Sequence, residues 1–343
     1  MAERAGMRIA YAPFTNAHNA YVPRMHEILG RFGHVERFMR PRQFLDEVKR
    51  GRGRFQRYDA TVFNWIENEF VDEATGTLPA INIVKVFLKT LVARLLSRRL
   101  ILVRHNTYPH TVKLGHERAA EALVDRYERM FHVVFSHSGA HLEGKRLYCP
   151  HPLYWQEKQS ADVSDSSILS ELPGDYFVVF GRIAPYKQVI EMIRGFPAER
   201  QLVIIGSVTD KAYGAEVAEA AQRPNVLYRP GYLTDAQAQR IITGSQGIVM
   251  AHAGDNTVVS GSFFFAMSLP VPVLAVETPF LNWVAPRVGP ELLVVRPDLP
   301  ALLEAARDYR RPAALEQFLP RLQQLFGDDA VAEALRPGLG IAS

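Results

Sequence analysis

The chain is short of cysteine, of long apolar runs and of glycine-rich dinucleotide fingerprints, and each shortage excludes a class of protein. Cys149 is the single cysteine, which rules out an internal disulfide framework and fits a reducing compartment. No stretch reaches the roughly 18 to 20 uncharged apolar residues of a spanning helix. The early apolar run Ile9-Ala10-Tyr11-Ala12 halts at Pro13, which reads as a buried strand and not as a secretory signal. A cytoplasmic protein is expected, peripheral on the inner face of the plasma membrane if it meets a membrane. Gly-x-Gly-x-x-Gly is missing, which argues against a dinucleotide oxidoreductase. There is no His-Glu-x-x-His and no cysteine pair, so the spacing of His132, His137 and His141 is not taken as a metal site. No metal and no cofactor are expected. A net charge of +4 falls well short of a nucleic-acid-binding composition and suits an anionic substrate or an anionic membrane surface.

One absence is local. From Ala74 to His116 there is no Asp or Glu, while Lys85, Lys89, Arg94, Arg98, Arg99, Arg104 and Lys113 stand among Ile, Val, Leu and Phe. Placed on a helix, the apolar residues cover more than half the circumference, with Lys85 and Lys89 on one flank and Arg94 and Arg98 on another. Two readings stay open: a core crossover helix with exposed cations at its ends, or docking of Lys85, Lys89, Arg94 and Arg98 on an anionic inner leaflet.

What is present is a repeated alternation of strand-like and helix-like segments over 343 residues, enough for two domains with their own cores. In the first half, strands are expected at Met7–Ala12, Val35–Phe38, Tyr58–Trp65, Leu100–Arg104, Val133–Phe135 and Arg146–Cys149, with a helix over Tyr21–Phe32. In the second, strands are expected at Tyr176–Phe180, Leu202–Ile205, Val226–Tyr228, Gly247–Met250, Val273–Val276 and Leu292–Val295, with helices such as Val189–Gly195 and Asp235–Thr243. Such alternation implies parallel sheets with helical crossovers. The expected organisation is an α/β chain of two doubly wound, Rossmann-like domains facing across a cleft: residues 1–155, a polar linker at 156–171, and residues 172–343, the last helix returning to the first domain.

Two second-half segments carry the chemistry. Val179-Phe180-Gly181-Arg182 ends a strand and offers Lys187 five residues after Arg182, two cations that can aim at one point. Ser260-Gly261-Ser262 opens a helix whose backbone N–H groups and hydroxyls can aim at the same point. Together they describe a cradle for the diphosphate of a nucleotide-sugar.

At these residues the chain resembles the GT-B glycosyltransferases. Gly181-Arg182…Lys187 is similar to their donor-phosphate motif, and Asn225 to Leu233, with Gly231, Tyr232 and Leu233 at its end, to the turn that contacts the nucleobase. The first half resembles the bacterial exopolysaccharide transferases that include the xanthan β-mannosyltransferase. The residues concerned are Asn64-Trp65-Ile66-Glu67, His105-Asn106-Thr107-Tyr108-Pro109-His110 and Pro150-His151-Pro152-Leu153-Tyr154. Retaining members carry two glutamates eight residues apart where this chain has Thr257 and Phe265, so the expected transfer is inverting.

The resemblance implies a donor site of Gly181, Arg182, Lys187, Tyr232, Leu233, His252, Asp255, Asn256, Ser260, Gly261 and Ser262. It implies a first-domain general base, for which Glu67 leads His18, His105 and Glu69, and acceptor contacts from Asn19, Trp65, Asn106 and His110. It further implies GDP-mannose as donor and a lipid-linked oligosaccharide as acceptor in surface or exopolysaccharide assembly, without nucleic acid. The alternatives are a retaining UDP-sugar transferase, a nucleotide-sugar epimerase of the same fold, and a non-catalytic nucleotide-sugar sensor.

Overall fold

A computed structural model describes residues 6–16, 20–39, 41–50, 57–72, 74–109, 111–154, 167–252 and 258–342. The chain divides into two compact units, Met1–Pro152 with Asn256–Val259 and Phe326–Ser343, and Leu153–Asp255 with Ser260–Leu325.

In the first unit, strands β1 (Met7–Ala12), β2 (Gly33–Arg37), β3 (Tyr58–Asn64), β4 (Ser97–Arg104), β5 (Val133–Ser136) and β6 (Arg146–Tyr148) form one parallel sheet in the order β2-β1-β3-β4-β5-β6. Its crossovers carry helices α1 (Tyr21–Gly30), α2 (Pro41–Lys49), α3 (Ala80–Leu96) and α4 (Glu117–Glu128). The strands are apolar on both faces, as Leu100, Ile101, Leu102 and Val103 of β4 illustrate, all of them buried, because helices cover both sides of a parallel sheet. Phe38, Tyr58, Phe63, Phe70, Tyr127 and Phe131 form the aromatic part of this core.

Strand β4 starts directly where α3 ends, so Arg98 does not share a helix flank with Arg94 as the acid-free stretch suggested. Ser97 pairs in register with Tyr58 and its hydroxyl lies 2.6 Å from that of Thr61. This β-pairing captures the end of the expected helix, and Arg98 then meets Asp59 at 3.3 Å.

The second unit opens on a short helix, α5 (Ser167–Ser170), where the polar linker was expected to continue; residues 156–166 of that linker lie outside the described residues. Its sheet contains β7 (Tyr176–Phe180), β8 (Gln201–Gly206), β9 (Val226–Pro230), β10 (Gly247–Met250), β11 (Val273–Val276) and β12 (Leu293–Arg296), all parallel, in the order β12-β11-β10-β7-β8-β9. The helices are α6 (Val189–Gly195), α7 (Lys211–Ala220), α8 (Asp235–Thr243), α9 (Gly261–Ser268), α10 (Pro279–Val288), α11 (Leu299–Asp308) and α12 (Leu319–Phe326). Strand order reverses between β7 and β10, which makes the carboxyl ends of those two strands the ligand position in a sheet of this kind. In the first sheet the reversal falls between β1 and β3.

The last helix, α13 (Asp328–Leu339), packs in the first unit. Asp328 pairs with Arg24 and, at 3.0 Å, with Arg31 of the α1 region; Arg99 Nη1 donates to the Pro337 carbonyl at 3.2 Å. Gly338 lets the helix approach the sheet, since a Cβ there would stand 2.7 Å from the ring of the fully buried Phe135. Alanine at a helical glycine ordinarily gains about 1 kcal/mol, but overpacking against an immobile ring costs about 1–3 kcal/mol. Gly338→Ala is therefore expected to lower the urea midpoint of the protein, and a raised midpoint would show that α13 does not bear on Phe135.

Candidate functional sites

In the first unit the carboxyl ends of the strands deliver polar side chains to one buried cluster. Asn64 ends β3, His105 follows β4, His137 follows β5 and His151 follows β6; Tyr21 begins α1. The Tyr21 hydroxyl lies 3.0 Å from His137 Nε2 and 3.3 Å from Asn64 Oδ1, and His105 Nε2 lies 3.1 Å from the same Asn64 oxygen. His137 Nδ1 faces the Cys149 carbonyl at 2.8 Å, so that nitrogen carries the hydrogen and Nε2 is left to accept from Tyr21. Burial disfavours the imidazolium form. It holds His137 down to about 4 and keeps His105 and His151 well below the usual histidine range, with their histidine neighbours adding to the effect. All three are neutral at physiological pH.

Trp65 adopts a left-handed backbone at φ 51°, a conformation costly for a bulky residue and frequent at functional sites. Its indole stacks on His105 at 4.2 Å. The turn starts the 3₁₀ segment Ile66–Phe70 and places Glu67 inside the unit, 2 % exposed, with Oε1 lacking a hydrogen-bond partner among the described residues. Burial pushes the Glu67 carboxyl up to about 7, with Glu128 adding to the rise, while Glu67's own backbone N–H, Arg104 and Asn106 oppose it. A carboxyl so held exchanges its proton near neutrality, which is what a general base or acid requires.

The loop beside Glu67 is clamped by Arg104. Its guanidinium donates to the carbonyls of Asn106 at 3.0 Å and Thr107 at 2.6 Å, and to Asp125 and Glu128. Asn106 is buried. Glu69, the weaker carboxylate candidate, is spent on Lys89 at 2.6 Å. His18, Asn19 and His110 lie outside the described residues.

In the second unit the cradle residues meet at the end of β7. Gly181 has φ 98°, and a Cβ there would stand 3.1 Å from Ser262 Oγ and 3.3 Å from Lys187 Nζ. Both of those groups donate to the Phe180 carbonyl, Ser262 Oγ at 3.0 Å and Lys187 Nζ at 3.3 Å. The Ser262 hydroxyl is thus already engaged, so it does not offer its proton as a free donor as the sequence suggested; the backbone at the start of α9 remains. Ser260 is the residue before that helix and makes no side-chain cap, and the Tyr154 hydroxyl crowds Gly261, where a Cβ would come within 2.9 Å of it.

Lys187 is 9 % exposed and has no carboxylate partner among the described residues. Burial, reinforced by Arg182, brings its ammonium down to about 8. Arg182 itself is exposed. Strand β8 closes against this turn: the Gly181 N–H donates to the Ile205 carbonyl at 3.2 Å, and a Cβ on Gly206 would overlap the Gly181 carbonyl at 1.6 Å. The turn after β9 is drawn in by the Gly231 N–H donating to Gly206 at 2.8 Å. Tyr232 there is 64 % exposed and Leu233 half-buried. Asn225, by contrast, is buried with its amide donating to the Pro197 and Arg200 carbonyls, both at 2.9 Å, a packing role. His252, after β10, stacks on Tyr186 at 5.8 Å. Phe265 packs on Phe180 at 4.7 Å inside the unit. Asp255, Asn256 and Thr257 lie outside the described residues.

Sequence reasoning missed Tyr21, Asn64 and Tyr186 as site residues, and used His137 and His151 only in a rejected metal pattern and a turn motif. Their shared signal is position, immediately after or at the end of a parallel strand, or at the start of the following helix. Among the described residues no group of three or more His, Cys, Asp or Glu is placed to hold a metal ion, and no helix is long and apolar enough to cross a membrane.

The fold has counterparts among solved structures. Anabaena Alr3699/HepE in complex with UDP and glucose matches with a TM-score of 0.64 at 13 % identity, over 97 % of this chain and 99 % of that one. Sucrose-phosphate synthase from Thermosynechococcus elongatus matches with a TM-score of 0.64 at 14 % identity, over 96 % and 98 %. AviGT4, a glycosyltransferase involved in avilamycin A biosynthesis, matches with a TM-score of 0.55 at 14 % identity, over 97 % of each chain. These are GT-B structures, and the chain has the GT-B fold. No family model matches the chain, and no curated protein matches it by sequence.

The raised Glu67 carboxyl makes a stability statement. A carboxyl whose folded value lies above its unfolded value contributes stability below about 4.5 and loses it as pH rises through about 7. Glu67→Gln is expected to leave stability at pH 4 little changed and to raise it at pH 8 by up to about 3 kcal/mol. Equal urea midpoints for both proteins at pH 8 would remove Glu67 as a strained, function-bearing carboxyl.

Proposed function

We propose that the protein is a metal-independent glycosyltransferase that moves a sugar from a nucleoside diphosphate to an acceptor hydroxyl. The observation that carries this reading is the buried Lys187 ammonium, which has a backbone carbonyl but, among the described residues, no carboxylate to receive it at the end of β7, beside Gly181 and the start of α9. A diphosphate brought there would supply the missing negative charge, with Arg182 added from the surface. The same groups would then hold the charge that grows on the leaving diphosphate as the glycosidic bond breaks. His252, Asp255, Asn256, Tyr232 and Leu233 would hold the sugar and base, with Ser260, Gly261 and Ser262 forming the helix start.

The first unit would bind the acceptor through Trp65, Asn106, Asn19 and His110. Glu67 would take the acceptor proton in an inverting transfer, its value of about 7 allowing an appreciable deprotonated fraction at neutral pH. His105, enclosed and hydrogen-bonded to Asn64, fits the positioning of Trp65 better than proton transfer; His18 stays a second candidate base.

The finer reading, GDP-mannose as donor and a lipid-linked oligosaccharide of exopolysaccharide assembly as acceptor, on the inner face of a plasma membrane, rests on the first-half motifs and their likeness to the xanthan β-mannosyltransferase group. A second reading, a UDP-sugar donor, is favoured by the solved structures of similar fold: HepE is described with UDP-glucose, and a trehalose-phosphate synthase of Burkholderia xenovorans is described as UDP-forming.

Calorimetry with GDP, UDP and their sugars separates the two readings. One nucleotide family is expected to bind, and Lys187→Met and Arg182→Ala each to weaken it about ten- to hundredfold, the range of charge-assisted hydrogen bonds. Affinity should fall as pH rises above about 8, where Lys187 loses its proton, and that slope should vanish in Lys187→Met. Unchanged affinity in both variants would sink the phosphate cradle. Donor turnover without any acceptor would point to an epimerase instead.

A further inference from the structure

Helix α3 is apolar on two sides. One side, Val86, Thr90, Ala93 and Leu96, is buried against the first sheet. The other presents Ile81 at 58 % exposure, Val84 at 50 %, Leu88 at 56 %, Leu91 at 48 % and Leu95 at 46 %. These positions alternate in steps of three and four, so they form one stripe along the helix, about 20 Å long. Single exposed leucines are ordinary on a protein surface, whereas a continuous stripe marks a docking face.

A second segment extends the stripe. The Lys113 N–H donates to the Gly76 carbonyl at 2.8 Å, three residues ahead of Pro79, which caps α3. Leu114, the next residue, is 90 % exposed. A loop-tip leucine beside the start of the helix widens the apolar surface beyond what a single partner helix lying along α3 would cover.

Charge identifies the occupant. Of the four cations expected to face a membrane, two are spent: Lys89 pairs with Glu69 and Arg98 with Asp59. Among the described residues Lys85 and Lys113, both exposed, meet no carboxylate, and Arg94 donates only to the Met130 carbonyl. Residues 74–116 contain no Asp or Glu. A second copy of the chain would therefore set Lys85, Arg94 and Lys113 against their own kind, with no acid from either stretch to meet them. An anionic bilayer satisfies both features, taking the stripe at the boundary of headgroups and acyl chains and the cations at its phosphates.

We infer that α3 and the Lys113–Leu114 loop form a docking face for an anionic lipid bilayer, held chiefly by the Ile81, Val84, Leu88, Leu91, Leu95 and Leu114 side chains and only secondarily by charge. This deepens the reading of a lipid-linked acceptor, yet its test is independent of transfer.

Flotation of the full chain with vesicles of phosphatidylcholine alone, and with about one quarter phosphatidylglycerol, decides it. The protein is expected to float with the phosphatidylglycerol vesicles and less with phosphatidylcholine. Leu88→Ser with Leu91→Ser should cut the bound fraction about tenfold, and Lys85→Ser with Lys113→Ser should lower it on anionic vesicles alone. Both pairs are exposed, and unchanged nucleotide affinity in the leucine variant would certify its fold. Flotation unaffected by the leucine substitutions overturns the inference. So does a dimer in solution that Leu88→Asp dissociates while neither protein floats. If flotation fails while nucleotide still binds, the face is lost and the donor site stands.

Discussion

The ammonium of Lys187 is buried where, among the described residues, only a carbonyl oxygen receives it, and the second unit is arranged around that cost. Removing a charge from water without an opposite charge is expensive, and the fall of its pKa to about 8 expresses the expense. The position is reached because β7 ends at Phe180, whose carbonyl accepts from both Lys187 Nζ and Ser262 Oγ, because Gly181 turns away at φ 98°, and because Gly206 lets β8 close on that turn without a side chain in the way. Each of these features is local, but they serve one end: a cation kept near the topological switch of the sheet in a place that an anion would relieve.

The first unit shows the complementary arrangement. Its carboxyl ends gather a carboxylate raised to about 7 and three histidines held neutral, and both shifts come mainly from burial. Desolvation moves acids up and bases down, so the same enclosure that silences His105, His137 and His151 brings Glu67 into the range where a proton can be exchanged. The histidines thus act as a rigid, uncharged frame for Trp65 and Asn64. The left-handed Trp65 is the strained point at which that frame delivers Glu67.

The strand pattern was legible in the sequence almost residue by residue, since parallel strands buried on both faces are written as continuous apolar runs. Gly247–Met250 and Val273–Val276 are placed as expected, and β4 is the informative exception. There the run Leu100–Arg104 extends back to Ser97, because pairing with Tyr58 takes three residues that propensity alone leaves in the helix. The cradle was legible too, through Gly181 and Lys187, whose spacing after a strand encodes their meeting. The engagement of the Ser262 hydroxyl with Phe180 was not, because a backbone carbonyl has no signature in sequence. Nor was the Tyr21–Asn64–His137 cluster, whose members come from separate strands and a helix and meet only through sheet order.

Helix α3 shows why an apolar face and an acid-free stretch carry different information. A helix apolar on both sides satisfies the crossover reading with one side and leaves the other unexplained, so periodicity alone could not choose between core and surface. The structure separates them by burial: Val86, Ala93 and Leu96 belong to the core, Leu88 and Leu91 do not. The absent acids then become meaningful, because Lys89, Arg98 and Arg104 find carboxylates outside the segment, at Glu69, Asp59, Asp125 and Glu128, while among the described residues Lys85, Arg94 and Lys113 find none. A surface built only for solubility would intersperse charges of both signs. Cations of one sign beside an exposed leucine stripe are instead the balance expected of a surface that meets negative charge and hydrocarbon together.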